Sequence, residues 1–216
     1  MRGVRGSLPD DDNKDKKMNI AVFASGRGSN FAAIIRAAKK GIFKGTIALL
    51  VCDQPKAGAI AKAKRAGIKT ALIKREDFTS KKDFEAQILK NLREEKIDLI
   101  AMAGFMRMLS PEFVQAYAGR IINIHPALLP SFKGSHAIKD AFDYGVKLTG
   151  VTVHFVDDLM DHGAIILQQP VKIEEFDTPE SLEAKIHKVE HKLYPKAIKL
   201  FVEGKIKVEG RKTAIQ

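Results

Sequence analysis

An amide, an imidazole and a carboxylate lie far apart along this chain, and together they have the chemistry for acyl transfer. Asn123 and His125 stand two residues apart in "IINIHPALLP", a spacing that turns both side chains to one face of a strand. Pro126 lacks the backbone N–H of a ladder, so it stops the strand and leaves His125 at its C-terminal end, where open parallel sheets bind ligands. There an amide N–H suits a developing oxyanion and an imidazole suits proton transfer. A lone histidine serves equally well as a satisfied structural residue, and its neighbours Asn123 and Pro126 bring the two readings level. Asp161, in "VDDLMDHGAII", is the third candidate, because a carboxylate within a few ångströms of an imidazole favours the protonated ring. Asp157 and Asp158 read from pattern alone as acids of a hydrated loop.

A second chemical signal lies near the start. "ASGRGSN" falls between an apolar run and a helical pattern, which sets Gly26, Gly28, Ser29 and Asn30 where backbone N–H groups emerge at a helix N-terminus, a place that binds phosphate. Ser29 and Asn30 add side-chain donors there or cap the helix; an ordinary strand-to-helix turn is the plainer alternative. The dinucleotide fingerprint wants a small residue where Phe31 stands, although Asp53 at the end of the next apolar run keeps that reading open. No Lys-Ser or Lys-Thr pair follows the glycines, so the triphosphate-binding loop is missing and a phosphate monoester fits best.

Elements able to position these groups follow from periodicity. Apolar runs "NIAVFA", "TIALLVC", "KTALI", "DLIAMA" and "IINIH" alternate with amphipathic stretches such as "NFAAIIRAAKKG" and "KKDFEAQILKNLREEK". Such alternation predicts a mostly parallel sheet covered by helices, a Rossmann-like three-layer α/β fold. After about Gly145, "LTGVTVHFV" and "GAIILQQPVKI" predict an antiparallel strand pair toward the C-terminus. "TPESLEAKIHKVEHKLYPKAIKLFVEG" then predicts a long closing helix, with Thr178 as cap and Pro179 in its first turn. Residues 1–17 are polar and aperiodic and read as a disordered leader or cloning remnant, leaving 18–216 as a single domain.

Composition narrows the class. The chain has 216 residues, 45% of them apolar, and no apolar run long enough for a membrane span, so a soluble cytoplasmic protein is expected. Its one cysteine, Cys52, ends the run "IALLVC" and reads as a small buried strand residue. A thiolate metal cage is excluded. The net charge of +11 attracts anions, but Lys and Arg are interleaved with acids, and with no Trp and three Tyr a base-stacking surface is disfavoured. A nucleic-acid-binding module would explain the charge and leave the Asn123–Pro126 segment unexplained; a nicotinamide-dependent oxidoreductase would use the glycine turn and Asp53.

"SGRGSN", "AGFMRMLSP", "NIHPALLP", "GVTVHFVDDLMDHG" and "VEHKLYP" occur here in the order found in the glycinamide ribonucleotide formyltransferases, and residues 18 to about 208 resemble that family. The resemblance implies transfer of the formyl group of 10-formyltetrahydrofolate to the amine of 5'-phosphoribosylglycinamide in de novo purine biosynthesis, with no metal. It further implies a phosphate-binding N-terminal half and a folate-binding C-terminal half. By the same likeness Asn123, His125 and Asp161 are catalytic, and Gly28, Ser29, Asn30 and Glu190 hold the phosphorylated substrate. Lys81, Met106, Arg107, Met108 and Leu109 would meet the folate together with Asn123, Asp157 and Asp161; from pattern alone, Met106–Leu109 is equally a strand end before a helix start at Ser110-Pro111. The implied partners are small molecules, without nucleic acid or membrane, for a monomer or homodimer. Two positions depart from the family: Lys133, where relatives usually have proline, and His162, where they have a small residue. The Asn, His and Asp set alone is shared with methionyl-tRNA formyltransferase, whose extra C-terminal domain this length does not accommodate, and with formyltetrahydrofolate deformylase, whose N-terminal regulatory domain 17 polar residues cannot supply.

Overall fold

The computed structural model describes residues 17–216; the expected leader lies outside these apart from Lys17. Seven strands form one sheet in the order β3-β2-β1-β4-β5-β6-β7. They are β1 (Met18–Phe23), β2 (Gly45–Cys52), β3 (Lys69–Leu72), β4 (Leu99–Met102), β5 (Ile121–His125), β6 (Leu148–Phe155) and β7 (Ile165–Lys172). The helices are α1 (Ser29–Lys39), α2 (Gly58–Ala66), α3 (Lys81–Glu94), α4 (Pro111–Ala116), α5 (Ala137–Tyr144) and α6 (Pro179–Val202). β1 to β5 are mutually parallel, while β6 runs antiparallel to both β5 and β7. This is the expected Rossmann-like α/β fold.

Central strands such as "LIAM" of β4 are apolar throughout because helices cover both faces. On one face, Phe31 and Ile34 of α1 and Leu182, Ile186 and Tyr194 of α6 pack on Ile20, Val22, Leu99 and Ile122. On the other, Phe84, Ile88 and Leu92 of α3 and Phe113 of α4 pack on Phe23, Leu49 and Ile100. That second core runs out along β5: Ile121 belongs to it, but Asn123 and His125 continue the same row. Polar side chains on that row need a different cover, and loops supply it.

The chain steps outward from β1 to β2 and β3, then returns past β1 to β4. Connections after β1 and β4 therefore diverge, opening a crevice at the C-terminal ends of the parallel strands. α6 closes the fold through a capping box: Thr178 Oγ1 accepts from the Ser181 N–H, and Ser181 Oγ accepts from the Thr178 N–H. The helix continues through Pro195, and the buried hydroxyl of Tyr194 lies 2.8 Å from the Met102 carbonyl and 3.1 Å from that of Ile122, joining α6 to the ends of β4 and β5.

A second small sheet was not foreseen: β8 (Ile206–Glu209) and β9 (Lys212–Ile215) form a hairpin after α6. Thr213 Oγ1 donates to the Ile165 carbonyl at 2.6 Å, setting this hairpin against the edge strand β7. Among the described residues, no helix is long and apolar enough to cross a membrane.

Candidate active site

The turn after β1 builds one end of a cleft. Gly28 opens α1 with φ of 71°, and a Cβ there would stand 2.9 Å from the Cβ of Ala59, so α2 packs against a position that only glycine fills without strain. No side chain caps α1 and its first turn holds no acid, which leaves backbone N–H groups free for an anion. Ser29 and Asn30 are therefore not caps. Asn30 instead donates from Nδ2 to Glu190 Oε2 at 3.0 Å, and its amide fixes a carboxylate of α6.

β5 delivers Asn123 and His125 to the other end. His125 is buried, and its Nε2–H donates to the Phe132 carbonyl at 2.7 Å, which turns Nδ1 toward Asp161 Oδ2 at 3.5 Å. The approach is made by a loop that doubles back. Register pairs Phe155 with Ile122, near the start of β5, yet the connection after β6 returns along the sheet to reach His125. Gly163 permits the return, since a Cβ there would lie 1.9 Å from the Phe155 carbonyl oxygen. Asp161 itself has φ of 48°, a left-handed conformation that costs most side chains but that Asp tolerates, and its Oδ2 accepts from the Gly134 N–H at 2.8 Å. The loop carrying Phe132 and Gly134 is moored from below. Thr152 Oγ1 donates to the Ala127 carbonyl and accepts from the Leu129 N–H, while Gln168 donates to the Leu129 carbonyl.

Sequence reasoning missed His154. It pairs with Asn123 across β5 and β6, and Asn123 Nδ2 lies 3.3 Å from its Nε2. The other ring nitrogen, Nδ1, donates to the Phe155 carbonyl at 2.7 Å, so Nε2 is the acceptor. Burial pushes this imidazole below its usual pKa, against the opposing pull of the Phe155 carbonyl and Asp161, which agrees with a neutral ring. His154 thus sets the amide of Asn123 with one N–H committed and the other free. A clue existed in "GVTVHFV", where alternation puts Thr152 and His154 on one face.

The cleft joining the two ends has a volume of 760 Å³, within the range of small-molecule sites. Its walls include Gly28 to Asn30, Met106 to Leu109, Asn123, His125, His154, Asp157, Asp161 and Glu190. Met106 and Met108 are largely exposed at the mouth, and Met106 N–H donates to Ser25 Oγ, tying the turns after β1 and β4 together. Arg107 is held by buried Asp53 at 2.5 Å and lies over the ring of Phe84. Asp53, the acid that the nicotinamide alternative would turn to a ribose hydroxyl, thus gives its Oδ2 to Arg107. Lys81 is absent from the cleft walls; it starts α3 and faces Glu85 at 3.8 Å, and Glu85 accepts from the Ser110 N–H, so Lys81 meets the methionine segment only at second hand. Asp157 accepts from His162, and Lys133 lines the cleft beside Gly134. Among the described residues no group of three or more His, Cys, Asp or Glu is arranged for a metal ion.

Comparison with known proteins agrees with this geometry. The family model described as "Formyl transferase" matches residues 18–198. Phosphoribosylglycinamide formyltransferase of Bacillus subtilis (strain 168) is 48% identical over 180 residues, spanning 83% of this chain and 92% of that one. Its counterpart in Escherichia coli (strain K12) is 38% identical over 191 residues, 88% of this chain and 90% of that one. Among solved structures, glycinamide ribonucleotide transformylase 1 from Symbiobacterium toebii superposes with a TM-score of 0.90 at 39% identity, covering 92% of this chain and 94% of that chain. Since the matched region runs from the glycine turn through the Asn123, His125 and Asp161 cluster to Glu190, the chain belongs to the formyl transferase family.

Proposed function

We propose that this protein transfers the formyl group of 10-formyltetrahydrofolate to the amine of 5'-phosphoribosylglycinamide, a step of de novo purine biosynthesis. The observation that carries the reading is the single cleft with an uncapped helix N-terminus at one end and Asn123, His125 and Asp161 at the other. A phosphate at Gly28 to Asn30 would extend its ribose and glycinamide past Glu190 toward β5. The apolar wall at Met106, Met108 and Leu109 suits a flat folate ring, and the loop from Asp157 to Asp161 lines the same cleft.

In the reaction the amine nitrogen attacks the formyl carbon. A new C–N bond forms, the carbonyl oxygen gains negative charge, and the bond to N10 of the folate then breaks as that nitrogen takes up a proton. Asn123, its amide set by His154, keeps one N–H for the oxyanion; such a donor typically contributes about 3 kcal/mol to the rate. His125 has Nε2–H committed to Phe132, so Nδ1, facing Asp161, is the atom that exchanges the proton lost by the amine and gained by N10.

The deciding experiment is a formyl-transfer assay with 10-formyltetrahydrofolate and three rival acceptors: 5'-phosphoribosylglycinamide, charged initiator tRNA and water. Turnover is expected with the first alone. Preferential transfer to tRNA or to water would replace this reading with that of a sister activity of the family.

A further inference from the structure

His187, on α6, is bracketed by two acids. Nδ1 lies 2.7 Å from Glu190 Oε2 and Nε2 lies 3.1 Å from Glu183 Oε1. A neutral imidazole has one nitrogen without a proton, and here that lone pair would face a carboxylate oxygen at hydrogen-bond distance. Only the imidazolium, with a proton on each nitrogen, satisfies both contacts. Glu183 in turn receives Arg27 Nη2 at 2.5 Å, and Glu190 Oε2 also receives Asn30 Nδ2. Arg27, Glu183, His187 and Glu190 therefore form a row of alternating charge that begins in the glycine turn and ends at the wall of the cleft.

We propose that His187 is a positioning residue for the acceptor substrate, a ring charged in the folded protein that holds Glu190 by Oε2 and leaves Oε1 to accept a hydrogen bond from the substrate's hydroxyl or amine. The link to a substrate rests on the formyl-transfer reading above; the charge on the ring does not. His191 stacks on His187 with ring centroids 6.1 Å apart, and burial lowers its pKa, with Glu190 opposing and His187 and Arg36 assisting. The bond to Glu190 raises the pKa of His187, against partial burial and with help from Glu183.

While His187 carries its proton the four side chains sum to zero charge. Its loss leaves a net negative charge next to the place proposed for a phosphate, and frees Glu190 from one of the two donors on Oε2. Affinity for the phosphorylated acceptor should therefore be fullest at low pH and decline as pH rises through the raised pKa. Folate affinity and the chemical step, at the far end, should not follow.

Two measurements test this. The first compares the KM for 5'-phosphoribosylglycinamide in wild type and His187→Gln from pH 6 to 9, taking the ratio so that titration of the substrate cancels. We expect the variant's KM to be about tenfold higher at the acid end, the worth of one charge-assisted contact, with the ratio approaching one at the alkaline end and kcat and folate KM unchanged. A ratio independent of pH overturns the proposal. The second, which needs no substrate, follows the ring nitrogens by 15N NMR in the intact protein, with the His187 signals identified by their disappearance in His187→Gln. Two protonated nitrogens at pH 7 are expected, and a neutral ring there sinks the proposal even if formyl transfer is normal. Conversely, a charged ring in a protein without formyl-transfer activity would remove the functional reading and leave the imidazolium in place.

Discussion

The two ends of the cleft are built by different means. At the glycine turn, the groups that face a ligand come from α1 and α6, and a hydrogen-bonded row from Arg27 to Asn30 locks the two together. At the β5 end, Asn123 and His125 stand on a strand and Asn123 meets His154 of β6, but the partners of His125, Phe132 and Asp161, belong to connections, as does Gly134, which holds Asp161. Phe132 and Asp161 both adopt positive φ, 50° and 48°, at a cost of roughly 1–2 kcal/mol for Phe132 and less for Asp161, which the bonds to His125 and Gly134 offset. The proposed phosphate end is thus built by helices, and the proposed reacting end by a strand and the loops that cover it.

Substitutions at the loop-built end should have the largest effects. Asp161→Ala removes the carboxylate facing His125 together with the acceptor of the Gly134 N–H, and kcat is expected to fall by about two to three orders of magnitude, comparable to loss of an oxyanion donor. Asn123→Ala and His125→Ala should fall as far, with the KM for the acceptor nearly unchanged. Steady-state kinetics on each variant decides the matter. Near-normal kcat in His125→Ala would show that the reacting end lies elsewhere in the cleft.

Gly28→Ala strikes the helix-built end. Its Cβ would meet Ala59 at 2.9 Å and would carry a left-handed φ, so a loss of about 2 kcal/mol in stability is expected, together with a KM for the acceptor about tenfold higher. Urea unfolding reads the first and kinetics the second. A folate KM that rose equally would mean the two ends are not independent.

Sequence alone exposed the strand-built part of this design more fully than the loop-built part. Asn123 and His125 were visible because a period of two and a following proline fix where a strand ends and which face it shows. The glycine turn was visible because Gly28 answers to a backbone conformation. His154 was not, because a histidine in an alternating strand gives no sign of which residue sits across from it until the register of β5 and β6 is known. Asn30 was expected to serve an anion or cap its helix; that its Nδ2 donates to Glu190 appears only once α6 is packed against α1. The resemblance placed Lys81 near the folate; that it faces Glu85 from the start of α3 is something no pattern in the sequence shows. The terminal hairpin escaped notice because four-residue strands leave too short an alternation to read.

His154→Gln should have a smaller and pH-dependent effect. The folded protein holds this ring below its usual pKa, while the unfolded chain takes up a proton near 6.5. Unfolding therefore binds a proton as pH falls through that value, and the native state loses up to about 1.4 kcal/mol per pH unit below it, with no contribution above. The variant lacks this term, so its stability relative to wild type should improve from pH 7 to pH 5, as measured by urea unfolding at each pH. At pH 7.5 its kcat should drop about tenfold, as the Asn123 amide loses one fixed contact and can turn from the oxyanion.

The smallest effect separates two roles for the C-terminal hairpin. Arg211 donates from Nη2 to the His162 carbonyl at 2.8 Å and from Nη1 to its ring, and His162 bonds Asp157 on the same loop as Asp161. His162, one of the two departures from the family, is a point at which the loop is held from outside. The contact is exposed, so Arg211→Ala should cost less than about 1 kcal/mol of stability. If the hairpin only shields the edge of β7 through Thr213, kinetics should stay as in wild type. If it braces the closing loop, the folate KM should rise about three- to fivefold, since an open loop more heavily populated in the free protein lowers apparent affinity in proportion. The acceptor KM, set by α1 and α6, should not move, which keeps the helix-built and loop-built ends of the cleft distinguishable even at this scale.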